Sequence, residues 1–319
     1  KIMTVVVSLE NIKELDEIVS FPKIEYLYDY SRIGFKFKEE LTYRDLLYSA
    51  ILPSAADATE GLAILISGST DKFVNLMNNK AKELGMNNTS FSNTYGKDSE
   101  NNYSTLEDLL KLMKYALNNP EFYKIFTSKN YKLTNGKIIN SSIVYYSKNS
   151  ELDVTPIMGV KTGYTSKAGY CMISIYQKGA TNLLIITTNA DAHINKPTQV
   201  IDSVNIGEYF VKNYKYFYIL SEGEYIGDIK ILGIKEKIYS EKEIKLYLPN
   251  DTEIETEFKD LNNINYDSKI GDKVGEFIIK YDNEQLIENI NIPDTFKVKF
   301  LLFINKRLRI IKKFKRIFA

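Results

Sequence analysis

The chain has 319 residues, too many for one small core and enough for two domains. Its 44% hydrophobic and 26% charged residues describe a globular protein, and a net charge of +1 gives no general reason to bind nucleic acid. A single cysteine, Cys171, excludes an intrachain disulfide, and a single histidine, His193, excludes a His- or Cys-rich metal cluster, so neither metal nor cofactor is expected.

Apolar positions at Val5, Leu9, Ile12 and Leu15 predict a helix over residues 2–18. Residues 21–40 alternate aromatic and charged side chains around Gly34, which predicts short strands or an extended connection. Thr42 caps a helix that Pro53 ends, and a second apolar helix is expected over 55–66. Ser67-Gly-Ser-Thr-Asp71 reads as a stop and restart, followed by a helix that ends at Gly85. Residues 87–103, rich in Asn, Ser and Gly, read as a long loop of the kind that carries function. A helix starts at Thr105 and ends near Asn118-Asn-Pro120. Short strands around an Asn135-Gly136 turn are expected over 122–146. Two apolar runs, 170–176 and 182–188, joined at Gly179, predict a hairpin inside a sheet, and a helix follows over 197–213. Beyond Phe217, short β-like segments at 226–234, 242–248 and 273–281 predict a small all-β domain.

Three segments carry chemistry. Gly159-Val-Lys-Thr-Gly163 leads into the core hairpin, where a glycine on a strand edge lets a peptide approach the backbone. The Lys161 ammonium and Thr162 hydroxyl suit a carboxylate. Leu52-Pro-Ser-Ala-Ala-Asp-Ala58 places Ser54 between two helices, where a serine alone is an ordinary N-cap residue. Lys1-Ile-Met-Thr4 opens the first helix, where a lysine alone is an ordinary surface residue.

In this order the segments resemble the serine D-alanyl-D-alanine carboxypeptidases, the low-molecular-mass penicillin-binding proteins. That family carries Ser-x-x-Lys, then Ser-x-Asn in a Leu-Pro-Ser-x-Asn-Asp-Ala context, then Lys-Thr-Gly. Glu40-Leu-Thr-Tyr-Arg-Asp-Leu-Leu47, Leu84-Gly-Met-Asn-Asn-Thr-Ser-Phe91, Asn93-Thr-Tyr-Gly96 and Tyr103-Ser-Thr105 extend the resemblance over about residues 1–215. It implies an α/β (α+β) fold, a β-lactamase/transpeptidase-like antiparallel sheet flanked by helices, with a small all-β C-terminal domain and an amphipathic tail helix. The expected domains are 1–217, 218–294 and 295–319.

The resemblance also implies roles. Lys1 is the base and Ser54 the proton relay, while Lys161, Thr162, Gly163, Tyr164 and Thr165 bind substrate. The backbone N–H of Tyr164 serves an oxyanion. Lys196, past the hairpin, is a further candidate for the substrate carboxylate. Two departures stand out. The nucleophilic serine would lie three residues ahead of Lys1, so the sequence is expected to be a processed product or fragment of a protein with Ser-x-x and a signal peptide before it. Ala56 occupies the place of the motif asparagine.

The expected reaction is removal of the terminal D-alanine from peptidoglycan pentapeptides through a serine acyl-enzyme, with β-lactams as inhibitors. Two alternatives stand beside it, a non-catalytic homologue that holds wall peptide and a β-lactamase. Residues 296–319 hold nine Lys or Arg and no acid. Phe300, Ile304, Leu308, Ile311, Phe314 and Phe318 recur at helical spacing. This predicts a tail that is disordered in solution and helical on an anionic membrane surface, anchoring the protein on the extracytoplasmic face.

Overall fold

In the computed structural model, residues 1–25, 29–149, 152–191 and 197–317 are described, with backbone alone at 149, 296 and 308–317. The chain divides into two compact units, Lys1–Lys212 and Asn213–Ala319.

The first unit opens with α1 (Ile2–Asn11), β1 (Ile18–Ser20), β2 (Glu40–Thr42), α2 (Tyr43–Ile51), α3 (Ala56–Ser67) and α4 (Thr70–Glu83). Thr42 and Asp45 form a reciprocal capping box at the start of α2. Gly68, at φ +80°, closes α3 in the left-handed region, and the Ser69 hydroxyl caps α4. The first helix is shorter than its apolar pattern predicts. Ile12 turns extended, and Ile12 and Leu15 reach the core from outside the helix.

A long loop then leads to α5 (Leu106–Leu117), α6 (Pro120–Thr127), β3 (Asn130–Lys132), β4 (Ile138–Asn140) and α7 (Ser142–Asn149). The strands expected over 122–146 are confined to β3 and β4. Asn119 caps α6 with Pro120 in its first turn, so the Asn-Pro pair that ends one helix also begins the next.

The central sheet follows as β5 (Ile157–Thr165), β6 (Gly169–Lys178) and β7 (Thr181–Ala190), ordered β5-β6-β7 and antiparallel throughout, and α8 (Thr198–Asn213) ends the unit. Alternate residues of β6 serve two cores. Ile173 and Ile175 join the cluster of α1 to α6, while Met172 and Tyr176 face α7 and α8. Burial on both faces explains why β6 reads as a continuous apolar run. Two glycines permit the closeness. A Cβ on Gly159 would meet Phe126 of α6 at 2.7 Å, and one on Gly207 of α8 would meet the Tyr176 ring at 2.3 Å.

The second unit contains β8 (Tyr214–Leu220), β9 (Tyr225–Ile231), β10 (Ile234–Tyr239), β11 (Ile244–Pro249), β12 (Ile254–Asp260), β13 (Lys273–Tyr281), β14 (Glu284–Asn291) and α9 (Phe296–Ile317). Its strands pair antiparallel as β9 with β10, β8 with β11, and β12-β13-β14. The 226–234 segment is a hairpin, turning at Leu232 and Gly233, both at positive φ.

The tail departs from its expectation over its first turns. Val298 and Leu301 are buried with Ile229, Ile231 and Val274, and Asn305 donates to the Asn265 carbonyl at 2.9 Å. Lys297 pairs with Glu236. The packed stripe is therefore 298, 301 and 305, and Phe300, part of the predicted stripe, is exposed. Solution order here comes from packing against the strands, which supplies what an isolated helix lacks. Among the described residues no helix is long and apolar enough to cross a membrane.

Leu301→Ala removes a buried side chain and leaves a cavity. It is expected to lower the stability of the second unit by about 2–3 kcal/mol, read as a shift of its urea midpoint. An unshifted midpoint would place α9 off this core.

Candidate active site

Lys1 stands at the N-cap of α1, and its Nζ donates to the carbonyl of Tyr95 at 2.5 Å. Burial strips its water and pushes the amine down to about 8. Lys161 reaches the same region from β5. Its Nζ donates to Ser54 Oγ at 2.8 Å and to the Thr162 carbonyl at 2.6 Å. Burial first, and the neighbouring Lys1 second, hold this amine well below the ordinary lysine range.

Ser54 lies between α2 and α3 with φ +62°, a left-handed conformation rare for serine. It is not the N-cap of α3. Ala55 holds that position, and no side chain caps the helix. The Ser54 hydroxyl instead accepts from Lys161. Ser54 is thus held in a sparsely populated conformation with its side chain turned to a buried amine.

Asp57, 3% exposed, fixes the segment around Ser54. Its Oδ1 accepts from the N–H of Ile33 at 3.1 Å, and its Oδ2 accepts from Gly34 at 2.7 Å and Phe35 at 3.3 Å. The Ala56 N–H donates to the Ser31 carbonyl at 2.7 Å, closing the same connection. Ala56 itself is fully buried and offers no polar atom beyond its backbone.

A cavity of about 440 Å³ opens beside Ser54, walled by Leu52, Ser31, Ser142, Tyr145, Lys148 and Thr162 among others. The Thr162 hydroxyl donates to Ser142 Oγ at 3.2 Å. Of the residues expected to act together, Ser54, Lys161 and Thr162 are joined by hydrogen bonds, and Lys1 acts on Lys161 through its charge. The remaining expected residues differ. Gly163 and Tyr164 are exposed near the end of β5, with the Tyr164 ring 4.6 Å from Tyr170. Thr165 Oγ1 accepts from the Ala168 N–H and so closes the β5–β6 turn. Lys196 and His193 lie outside the described residues.

Sequence reasoning missed three contributors. Ser142 opens α7, a helix read as strand, so its placement was hidden. Asp57 and Tyr95 lay within quoted motifs, but their partners, the 33–35 backbone N–H groups and the Lys1 amine, are far away in sequence. Among the described residues there is no cluster of metal-ligating side chains.

A family model described as D-alanyl-D-alanine carboxypeptidase matches residues 1–192. D-alanyl-D-alanine carboxypeptidase DacF of Bacillus subtilis is 28% identical over 305 residues, covering 89% of this chain and 74% of the relative. DacA of Haemophilus influenzae is 28% identical over 204 residues, 64% of this chain and 50% of that protein, so the chain spans half of that relative's length. The crystal structure of penicillin binding protein 5 from Haemophilus influenzae superposes with a TM-score of 0.70 at 21% identity, covering 92% of this chain and 87% of that one. This last likeness supports the expected fold class, an antiparallel sheet between helices.

Asp57→Ala is expected to cost about 2 kcal/mol of stability, because it removes the buried carboxylate that accepts from the Ile33, Gly34 and Phe35 N–H groups. Chemical denaturation measures it, and an unchanged midpoint would show that other contacts hold the loop.

Proposed function

The chain belongs to the D-alanyl-D-alanine carboxypeptidase family of serine-type hydrolases that act on peptidoglycan stem peptides, and from that premise we propose a division of labour among its residues. The nucleophile is the serine of Ser-x-x-Lys, three residues ahead of Lys1. That spacing sets its hydroxyl one helical turn from the amine. Lys1 takes the serine proton as the hydroxyl attacks the carbonyl of the penultimate D-alanine. The peptide C–N bond then breaks, and Ser54 passes a proton to the leaving D-alanine. Water hydrolyses the resulting ester.

Thr162 and Lys161 receive the terminal carboxylate, and the cavity beside Ser54 holds part of the peptide. A β-lactam offers the same carboxylate and a strained amide, so it acylates the same serine. The observation that carries this reading is the bond from Lys161 to Ser54 beside the lowered Lys1 amine. An amine near 8 has a substantial free-base fraction at neutral pH, which a solvated lysine lacks.

The experiment is acylation by a labelled penicillin in the protein that includes the residues before Lys1. Lys1 works as a free base, so protonation removes activity. The rate is expected to fall about tenfold per pH unit below about 8 and to level above it. Lys161→Ala is expected to slow acylation about 100-fold. A flat pH profile together with a parental rate in Lys161→Ala would overturn the assignment.

We further propose that the basic end of α9 meets an anionic membrane surface on the extracytoplasmic side. Its support is the run of cations beyond Asn305 and the exposed Phe300 and Phe303. Removing residues 306–319 is expected to abolish sedimentation with anionic vesicles while leaving the packed turns in place. Equal sedimentation of the shortened and intact forms would put the contact elsewhere.

A further inference from the structure

The amine of Lys1 needs an acceptor that does not move, and its acceptor is a loop carbonyl, that of Tyr95. Such a carbonyl is only as fixed as its neighbours. The adjacent Thr94 is fully buried and gripped at both polar groups. Its carbonyl accepts from Thr4 Oγ1 at 2.7 Å, and its hydroxyl donates to Glu60 Oε1 at 2.5 Å. The other carboxylate oxygen, Glu60 Oε2, accepts from Thr70 Oγ1 at 2.7 Å. Glu60 therefore ties the loop to the first residue of α4 as well as to α3.

The carboxylate is a costly choice for this half-buried place. An apolar side chain would fill the volume without losing hydration. What a carboxylate adds is two acceptor oxygens that can hold two hydroxyls at once. Both are in use here, and one of the hydroxyls belongs to the residue next to the Lys1 acceptor. Glu60 also stands four residues after Ala56, one turn along the same face of α3. The face that offers only a methyl at Ala56 thus reaches, from Glu60, the residue next to the Lys1 acceptor.

We propose that Glu60 is a positioning residue for Lys1, setting the Tyr95 carbonyl against the amine through Thr94. The inference rests on the acyl-transfer reading, in which Lys1 is the base. Glu60 acts through bonds and geometry, so a neutral side chain of the same shape serves in its place. Glutamine has that shape and can still engage both threonines, whereas alanine reaches neither.

The test uses the protein with the residues that precede Lys1, as parent, Glu60→Ala and Glu60→Gln. Rapid kinetics with a labelled penicillin separate the affinity of the first complex from the acylation rate constant, and a crystal structure of Glu60→Ala reports the Lys1 contact. In Glu60→Ala the acylation rate constant is expected to fall about tenfold or more with the first complex unchanged. The Tyr95 carbonyl should be withdrawn from Lys1 Nζ in its crystal structure, and Glu60→Gln should regain most of the rate. A parental rate constant in Glu60→Ala, a loss confined to the affinity of the first complex, or an intact Lys1–Tyr95 bond in the variant would each overturn the proposal. A parent that forms no adduct would instead sink the acyl-transfer reading, and the crystal structure would still decide whether Glu60 sets the carbonyl.

Discussion

Two lysine amines brought out of water beside one another are the constraint on which this site depends. Desolvating an ammonium costs several kcal/mol, and a second cation nearby adds to the cost. Burial depresses both amines, and Lys161 also feels the neighbouring cation, Lys1. Their hydrogen bonds go to uncharged acceptors, the Tyr95 and Thr162 carbonyls and the Ser54 hydroxyl. These fix direction without restoring full charge. The arrangement favours free amine, the form in which a lysine can take a proton. On the proposed role of Thr162, an arriving substrate carboxylate would favour protonation of Lys161 and so couple binding to proton uptake.

The fold supplies rigidity where that constraint demands it. Each amine comes from a regular element, Lys1 from the start of α1 and Lys161 from β5. Sites on such elements hold geometry better than sites on loops. The approach of α6 to β5 at Gly159 and of α8 to β6 at Gly207 locks the sheet from both sides. Ser54 and the Tyr95 carbonyl do lie on connections, and each has a carboxylate bonded close by in the chain. Asp57 holds the 31–35 loop against the Ser54 segment, and Glu60 holds Thr94.

Much of this was legible in the sequence because it follows from local chemistry. The capping box at Thr42, the Gly68 stop and the apolar hairpin at β6 and β7 are short-range patterns, and they formed where the patterns placed them. The motifs at Lys1, Ser54 and Lys161 were legible through resemblance, and of these Ser54 and Lys161 share a hydrogen bond. What could not be read was set by distant partners. Residues 142–149 form α7, although the strands expected over 122–146 would run into it, and Ile143 there packs with Val154, Ile157 and Val200. The left-handed Ser54, the bond from Lys1 to the Tyr95 carbonyl and the reach of Glu60 to Thr94 join residues tens of positions apart. A one-dimensional pattern carries no record of which carbonyl a buried amine will find.

The tail shows the same limit in a single helix. An apolar stripe was read at 300, 304 and 308, whereas the packed stripe runs 298, 301 and 305. Both are helical spacings, and periodicity alone does not choose between them. The choice is made by the strands, whose Ile229, Ile231 and Val274 accept Val298 and Leu301. Asn305 settles the register, since its side chain finds the Asn265 carbonyl where an apolar residue would leave that group without this donor. Phe300 of the other stripe is 54% exposed, and so is Phe303 beside it at 56%, with Arg307 lying over the Phe303 ring. Within the described side chains, one helix thus serves the core of the second unit through one face and leaves aromatic surface on another.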